Sequence, residues 1–409
     1  MAISPSPSNP PAGPEPGYLC LTDHVRLVYL EQPCVYDRAR DELYELDTDA
    51  LSFLAQCDGS RVAALSVDER GLVDFCVAHD LLAWHAAPQQ QLVRLGCAPD
   101  PSLRYLELQL TSRCNLRCRH CYLPDSGLQD LPLADARTIV EQFAACGGLR
   151  VLVSGGEPLL YPHLAELLAI AGDLGLRRVV LTNGTLVART RLSGMGLEEL
   201  QISIDGWRQG HEQLRGPGSF DRALQGLEAA RDAGVRVAVA TMVHAGNLDE
   251  LDRLEAYVRA RGVARWSLDV PCVAGRMQSA RHVQVLPEQA APHLARAFGG
   301  SYHGDADGYA CGRHLLAVMP DGTAVPCGLY PEHRLGRAAD DLLGCWRQRP
   351  QLPLAALACA TCRFAPACGG GCRFRAPDPL APDPVMCAVF RRQHADAAQP
   401  LIGPYPAAS

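Results

Sequence analysis

No run in this 409-residue chain approaches the ~20 consecutive apolar residues that span a bilayer, so no membrane partner is expected. No lysine- or arginine-rich tract appears either. With a net charge of −7 spread along the chain there is no basic patch to neutralise phosphates, which argues against a nucleic-acid partner. The start lacks a charged-then-apolar signal segment; residues 1–17 are dominated by Pro, Ser, Gly and Ala and read as a disordered tail. The thirteen histidines show no HxxxH or HExxH spacing, so no histidine-lined metal helix is expected. Cysteine, by contrast, is abundant. Eighteen in a chain this long, without a secretory signal, are expected to be reduced cytoplasmic thiols available to metal rather than disulfides.

Residues 18–87 differ in pattern from the rest. Residues 24–30 alternate as a strand, 33–36 and 43–46 form a hairpin across a polar turn, and three helices follow. The first is capped by Asp47 or Thr48, the second covers 61–65 and the third covers 68–82, with Trp84 closing the module. This predicts a small winged-helix-like unit. Its acidic face, formed by Asp37, Asp41, Glu42, Glu45, Asp47 and Asp49, argues against DNA. Residues 88–102 read as a linker. From 103 to about 273, strands over 105–110, 150–154, 178–182, 199–204, 235–243 and 264–270 alternate with helical stretches. That order predicts parallel strands joined by helices, with functional groups at the C-terminal strand ends. The fold expected is α/β, a partial (β/α)6 TIM-like barrel over 103–290. A bridge at 291–310, a cysteine-rich domain at 311–399 and a tail at 400–409 complete the chain.

Cys114, Cys118 and Cys121 stand at CxxxCxxC spacing just after the first barrel strand. Three thiolates on one short loop suit a 4Fe-4S cubane, which takes four ligands, and leave one iron open. An amino and carboxylate pair, such as the methionine end of S-adenosylmethionine, chelates an open iron. Structural zinc wants four closed ligands, and no fourth cysteine or metal-spaced histidine follows nearby. Gly155, Gly156, Glu157 and Pro158 end the second strand, where paired glycines admit close backbone approach of a ligand. Thr182 and Asn183 end the third strand, and Ser203 and Asp205 the fourth. Arg215 offers the planar fork that suits a carboxylate, unless it is a surface residue. Downstream, Cys311, Cys327, Cys359, Cys362, Cys368, Cys372 and Cys387 form a denser set, of which 359–372 taken alone also fits a zinc knuckle. Most of the other cysteines are expected to be small buried apolar residues. Cys272, just past the sixth strand, is the one near the expected reaction centre.

The CxxxCxxC loop followed by Gly-Gly-Glu-Pro resembles the radical S-adenosylmethionine superfamily. Val35-Tyr36-Asp37, Leu43-Tyr44-Glu45-Leu46 and Cys57-Asp58-Gly59 resemble the RiPP recognition element, a leader-peptide-binding module. The seven downstream cysteines resemble the SPASM domain. The resemblance implies that Gly155 to Pro158 receive the methionine amino group, with Thr182 and Asn183 beside them. It likewise implies Ser203 and Asp205 at the ribose or methionyl part and Arg215 on the methionine carboxylate. Three 4Fe-4S clusters follow from it, with Cys311, Cys327 and Cys372 on a first auxiliary cluster and Cys359, Cys362, Cys368 and Cys387 on a second. Some relatives carry another cysteine where this chain has Asp305, so the first auxiliary cluster lacks an obvious fourth ligand. Asp305, a cysteine from elsewhere, solvent or a substrate thiolate are the candidates, and the seven-cysteine count leads to the expectation of a non-cysteine ligand or an open iron. The function implied is radical modification of a ribosomally made precursor peptide, forming a thioether, C–C or C–O crosslink. Residues 18–87 would bind the leader, and a flavodoxin or ferredoxin would supply electrons. A SPASM enzyme with another target, in sulfatase maturation or tetrapyrrole biosynthesis, is the alternative. An iron–sulfur carrier or scaffold is another, although a carrier needs no S-adenosylmethionine site.

Overall fold

A computed structural model describes residues 17–62, 65–123, 127–299 and 308–393. Asp305 and both expected tails, apart from Gly17, lie outside them. The chain divides into two compact units, Met1–Cys97 and Ala98–Ser409.

In the first unit β1 (Tyr18–Leu21) is the centre of a three-stranded sheet, and β2 (Val25–Tyr29), β3 (Pro33–Asp37) and β4 (Glu42–Glu45) form an antiparallel meander. Asp47 caps α1 (Thr48–Leu54) by accepting from the Ala50 amide at 2.7 Å. Of the second expected helix, over 61–65, Arg61 and Val62 are instead the end of strand β5 (Asp58–Val62), which pairs antiparallel with β1, and 63–64 lie outside the described residues. Local propensity there permits helix, but the apolar strand β1 needs a partner for its backbone, and the pairing wins. The third expected helix stops early. Ser66 and Glu69 close a capping box on α2 (Val67–Ala78), Asp80 takes a left-handed φ of 61°, and Leu82–His85 leaves as β6 on the other side of β1. Within the stretch read as a linker, β7 (Leu95–Cys97) adds in parallel to β2. Leu19, Leu27, Val35, Leu54, Val73 and Leu81 make the core. Asp37 is not part of an acidic surface: it is fully buried and accepts from the Ala39 and Arg40 amides at 2.8 and 3.0 Å to shape the hairpin turn.

The second unit is built on β8 (Tyr105–Thr111), β9 (Arg150–Gly155), β10 (Arg177–Thr182), β11 (Glu199–Ser203), β12 (Val237–Met242) and β13 (Arg265–Asp269). These six lie side by side in sequence order and all run parallel. Helices including α3 (Leu133–Ala145), α4 (Leu164–Asp173), α5 (Arg208–Arg215), α6 (Ser219–Asp232) and α7 (Leu251–Ala260) connect them. The sheet does not stop at six. β14 (Leu315–Val318) pairs in parallel with β8, and β15 (Thr323–Val325) and β16 (Gly336–Arg337) extend it antiparallel, so the cysteine-rich region enters the same sheet. Along β8 the side chains alternate: Leu106, Leu108 and Leu110 join the apolar cluster with Ile139, Val140 and Phe143, which leaves Tyr105, Glu107 and Gln109 on the other face. At the N-terminal strand ends Glu199 takes Arg177 at 3.0 Å, in a pair 4% and 0% exposed, and Arg265 as well. That end therefore reads as structural, opposite the C-terminal end where chemistry is expected.

Candidate active site

The loop after β8 carries three free thiols, of which Cys118 is buried and Cys114 exposed. Its base is fixed by Arg113, which donates to Asp130 at 2.6 and 3.0 Å and to the Leu160 carbonyl at 2.9 Å. The Gly-Gly-Glu-Pro segment packs directly on it: the Gly156 amide donates to Thr111 O at 2.6 Å and the Glu157 amide to Arg113 O at 2.8 Å. Gly155 has a φ of 122°, and a Cβ there would come within 2.5 Å of the Thr111 carbonyl oxygen. A Cβ at Gly156 would overlap the Arg113 carbonyl, one residue before Cys114. Gly156→Ala is therefore expected to push the cysteine loop out of place, destabilising the fold by ~1–3 kcal/mol and lowering iron bound per folded chain. Iron analysis after anaerobic reconstitution, beside a thermal melt, checks it.

Glu157 is fully buried, and its carboxylate accepts from Thr182 Oγ1 at 2.7 Å and from the Asn183 amide at 2.9 Å. Burial pushes its pKa up, against the pull of those donors. Glu157 thus orders the end of β10. Asn183 in turn donates to Asn115 at 2.9 Å, and Asn115 donates to Thr185 at 2.8 Å, tying that strand end to the cysteine loop.

Asp205 and Arg215 meet as a buried pair, with Arg215 Nε 2.5 Å from Asp205 Oδ2. The Met242 amide takes the other carboxylate oxygen at 2.8 Å. Burial disfavours the charge on Asp205, yet the Arg215 guanidinium beside it holds the carboxyl well below its usual range. Arg215 is no surface residue: its side chain is 10% exposed and Nη1 reaches Cys118 Sγ at 4.0 Å. Asp205 thereby orients Arg215 over the loop, while Ser203 ends β11 half-buried.

A cavity of about 620 Å³ opens beside this loop. His120 and Tyr122 of the loop line it, as do Tyr105 and Glu107 of β8, Met242, Asp269, and the thiols Cys272, Cys311, Cys327 and Cys372. The two flanks of the opened sheet, β13 on one side and β8 with β14 on the other, thus face one space. Glu107 accepts from Ser154 Oγ at 2.9 Å and from Tyr122 Oη at 3.2 Å. A second small pocket is lined by Cys359, Cys362, Cys368 and Cys387, so the structure assembles both expected cysteine groups. Among the described residues no three His, Cys, Asp or Glu side chains close on a point as a single metal ion requires. Four thiols around a shared cavity are the wider set that a cube of irons and sulfides takes. Donor type and arrangement therefore fit 4Fe-4S clusters.

Sequence reasoning missed Glu107, Tyr122 and Arg375. The polar alternation Glu107, Gln109 in an apolar barrel strand was the available signal for the first. Arg375 had none: it joins Asp269 at the end of β13 to Asp383, donating to Asp383 Oδ2 at 2.8 Å, a bridge that only the folded chain creates.

Residues 108–258 match the Radical SAM superfamily. Over 149 residues the chain is 34% identical to the Fe-coproporphyrin III synthase of Methanosarcina barkeri, covering 35% of this chain and 37% of that protein. Over 305 residues it is 29% identical to the mycofactocin maturase MftC of Mycobacterium tuberculosis, covering 65% and 77%. Across the synthase and three other curated relatives the chain spans only 37–52% of their length. The fold is similar to that of Streptococcus suis SuiB, solved with precursor peptide SuiA, at a TM-score of 0.64 and 14% identity over 90% of this chain and 99% of that one.

Proposed function

We propose that this chain, whose residues 108–258 are a radical SAM domain, modifies a ribosomally made precursor peptide, with residues 18–87 binding the leader and residues 311–399 holding two auxiliary clusters. The observation that carries this reading is the single cavity lined by both the CxxxCxxC loop and the C-terminal thiols. Cys114, Cys118 and Cys121 would hold a 4Fe-4S cluster which, with S-adenosylmethionine bound, would supply the radical chemistry for hydrogen-atom abstraction from an unactivated carbon. The chain's own groups do the positioning. Arg215, oriented by Asp205, presents a cation at the cluster loop for the methionine carboxylate. Gly155 and Gly156 keep the second strand end close to that loop. Glu107 lies on the cavity wall and would accept the proton released when a substrate radical is oxidised. Electrons would come from a flavodoxin or ferredoxin in the cytoplasm.

The leader site is supported by the free edge of the first unit. β4 pairs with β3 alone among the described residues, so its other edge is open to an added strand. Tyr44 of β4 sits edge-on to Phe75 of α2 at 6.0 Å, and Phe75, stacked on His79, is 45% exposed. An apolar partner beside an open edge is what an extended peptide requires. Phe75→Glu is expected to weaken leader binding about tenfold, equivalent to ~1.4 kcal/mol, while peptide-independent 5′-deoxyadenosine formation stays unchanged. Fluorescence anisotropy with a labelled leader tests it; unchanged affinity would remove the leader role.

The 34% identity to an Fe-coproporphyrin III synthase favours one competing reading, decarboxylation of a tetrapyrrole side chain. Under it the first unit would be an unexplained addition. The two readings separate on which substrate, peptide or porphyrin, accelerates 5′-deoxyadenosine formation.

A further inference from the structure

We infer that Cys272 is the fourth thiolate of the first auxiliary cluster, closing it together with Cys311, Cys327 and Cys372. The inference rests on the proposed reading that these C-terminal thiols hold a cluster. The sequence pattern points elsewhere, to a non-cysteine ligand or an open iron. The folded chain brings a fourth thiol to the same place from a distant segment. Cys272 follows β13 by three residues and lines one cavity together with Cys311, Cys327 and Cys372. Thiolate is the donor that iron–sulfur clusters prefer, so a thiol already in the ring of ligands is favoured over a carboxylate or water.

The juxtaposition is built rather than incidental. Arg375 pairs with Asp269 at the end of β13 and with Asp383, and Asp383 also accepts from the Cys372 amide at 2.8 Å. One arginine therefore fixes the segment bearing Cys272 against the segment bearing Cys372. Cys345 is not a competitor. It lies on the helix Leu342–Arg347, buried in the main apolar cluster of the second unit. The segment after Cys272 is anchored as well: the Arg276 amide donates to Cys121 O at 2.9 Å and its guanidinium to Cys118 O at 3.0 Å. Three residues thus separate the thiol at the auxiliary site from the contacts to the radical-cluster loop. A cluster with four cysteines has no iron free for a substrate thiolate, so its part in the reaction is to accept an electron.

The test uses full-length chain carrying Cys114, Cys118 and Cys121→Ala, which leaves only the auxiliary sites to report. After anaerobic reconstitution and reduction, 13C-cyanide is added and its coupling to the cluster is sought by electron–nuclear double resonance. With Cys272 present no cyanide signal is expected; Cys272→Ala should open one iron and give it, and Asp305→Ala should not. Cyanide coupling with Cys272 in place, or identical spectra with and without it, overturns the assignment. A control with Cys311, Cys327 and Cys372 all changed to Ala separates the two levels: if it fails to lower iron by about one cluster, the auxiliary-cluster reading itself falls, and this inference with it. If Cys272→Ala does not fold, the unsubstituted chain decides. Cys272 should resist iodoacetamide until a chelator strips the iron, and equal labelling before and after would contradict the ligand role.

Discussion

Chains in which Cys114, Cys118 and Cys121 are all alanine are expected to lose one cluster, about four irons per chain, and all cleavage of S-adenosylmethionine, while keeping the iron of the C-terminal sites. The reasoning is local. The three thiols sit on one loop between β8 and the Asp130 anchor, and Arg215 reaches Cys118 from a buried pair with Asp205, so the donor set and its counter-charge are assembled within one unit. The C-terminal thiols belong to other segments and are held by Arg375 and Asp383, which the triple substitution does not touch. Iron and sulfide analysis with chromatographic detection of 5′-deoxyadenosine gives the answer. A preparation that held only zinc at the C-terminal cysteines and stayed active would sink the cluster assignment.

A chain beginning at Ala98 is expected to lose peptide modification by a factor on the order of 10²–10⁴, because the leader's contribution to local substrate concentration disappears with its binding site. Uncoupled 5′-deoxyadenosine production should persist. The cut belongs after Cys97 and not after residue 87, since β7 pairs with β2 and would be orphaned by the shorter deletion. Residues 98 onward stay with the barrel unit: Trp346 Nε1 donates to the Pro101 carbonyl at 2.8 Å. Mass spectrometry of the peptide beside nucleoside analysis checks both arms, and full processing by the truncated chain would refute the leader role.

Features written in contiguous residues were the legible ones. The six parallel strands, the CxxxCxxC loop and the glycine pair are local patterns, and each lies where its pattern placed it. Hairpin β3–β4 and the Asp47 cap were readable for the same reason. What failed was decided by partners distant in the chain. Residues 61–62 are strand because β1 needed pairing, β7 joins a sheet from within a polar stretch, and β14 extends the barrel beyond its six repeats. Arg215 reads equally as surface or site until Asp205 is seen to bury it. Cys272 was notable only for its position after a strand; the cavity it shares with Cys372 arises from a 100-residue closure that spacing does not encode.

The central claim is that one chamber serves a radical generated at the loop and a peptide held in register with it. Its most direct test is a single anaerobic reaction of the reconstituted chain with S-adenosylmethionine, reductant and a candidate precursor peptide drawn from any small reading frame found beside the gene, followed by nucleoside quantification and peptide mass. The account predicts that peptide accelerates 5′-deoxyadenosine formation and leaves the reaction lighter by a pair of hydrogen atoms, in proportion to the nucleoside formed. Acceleration by a porphyrin with the peptide unchanged would contradict it.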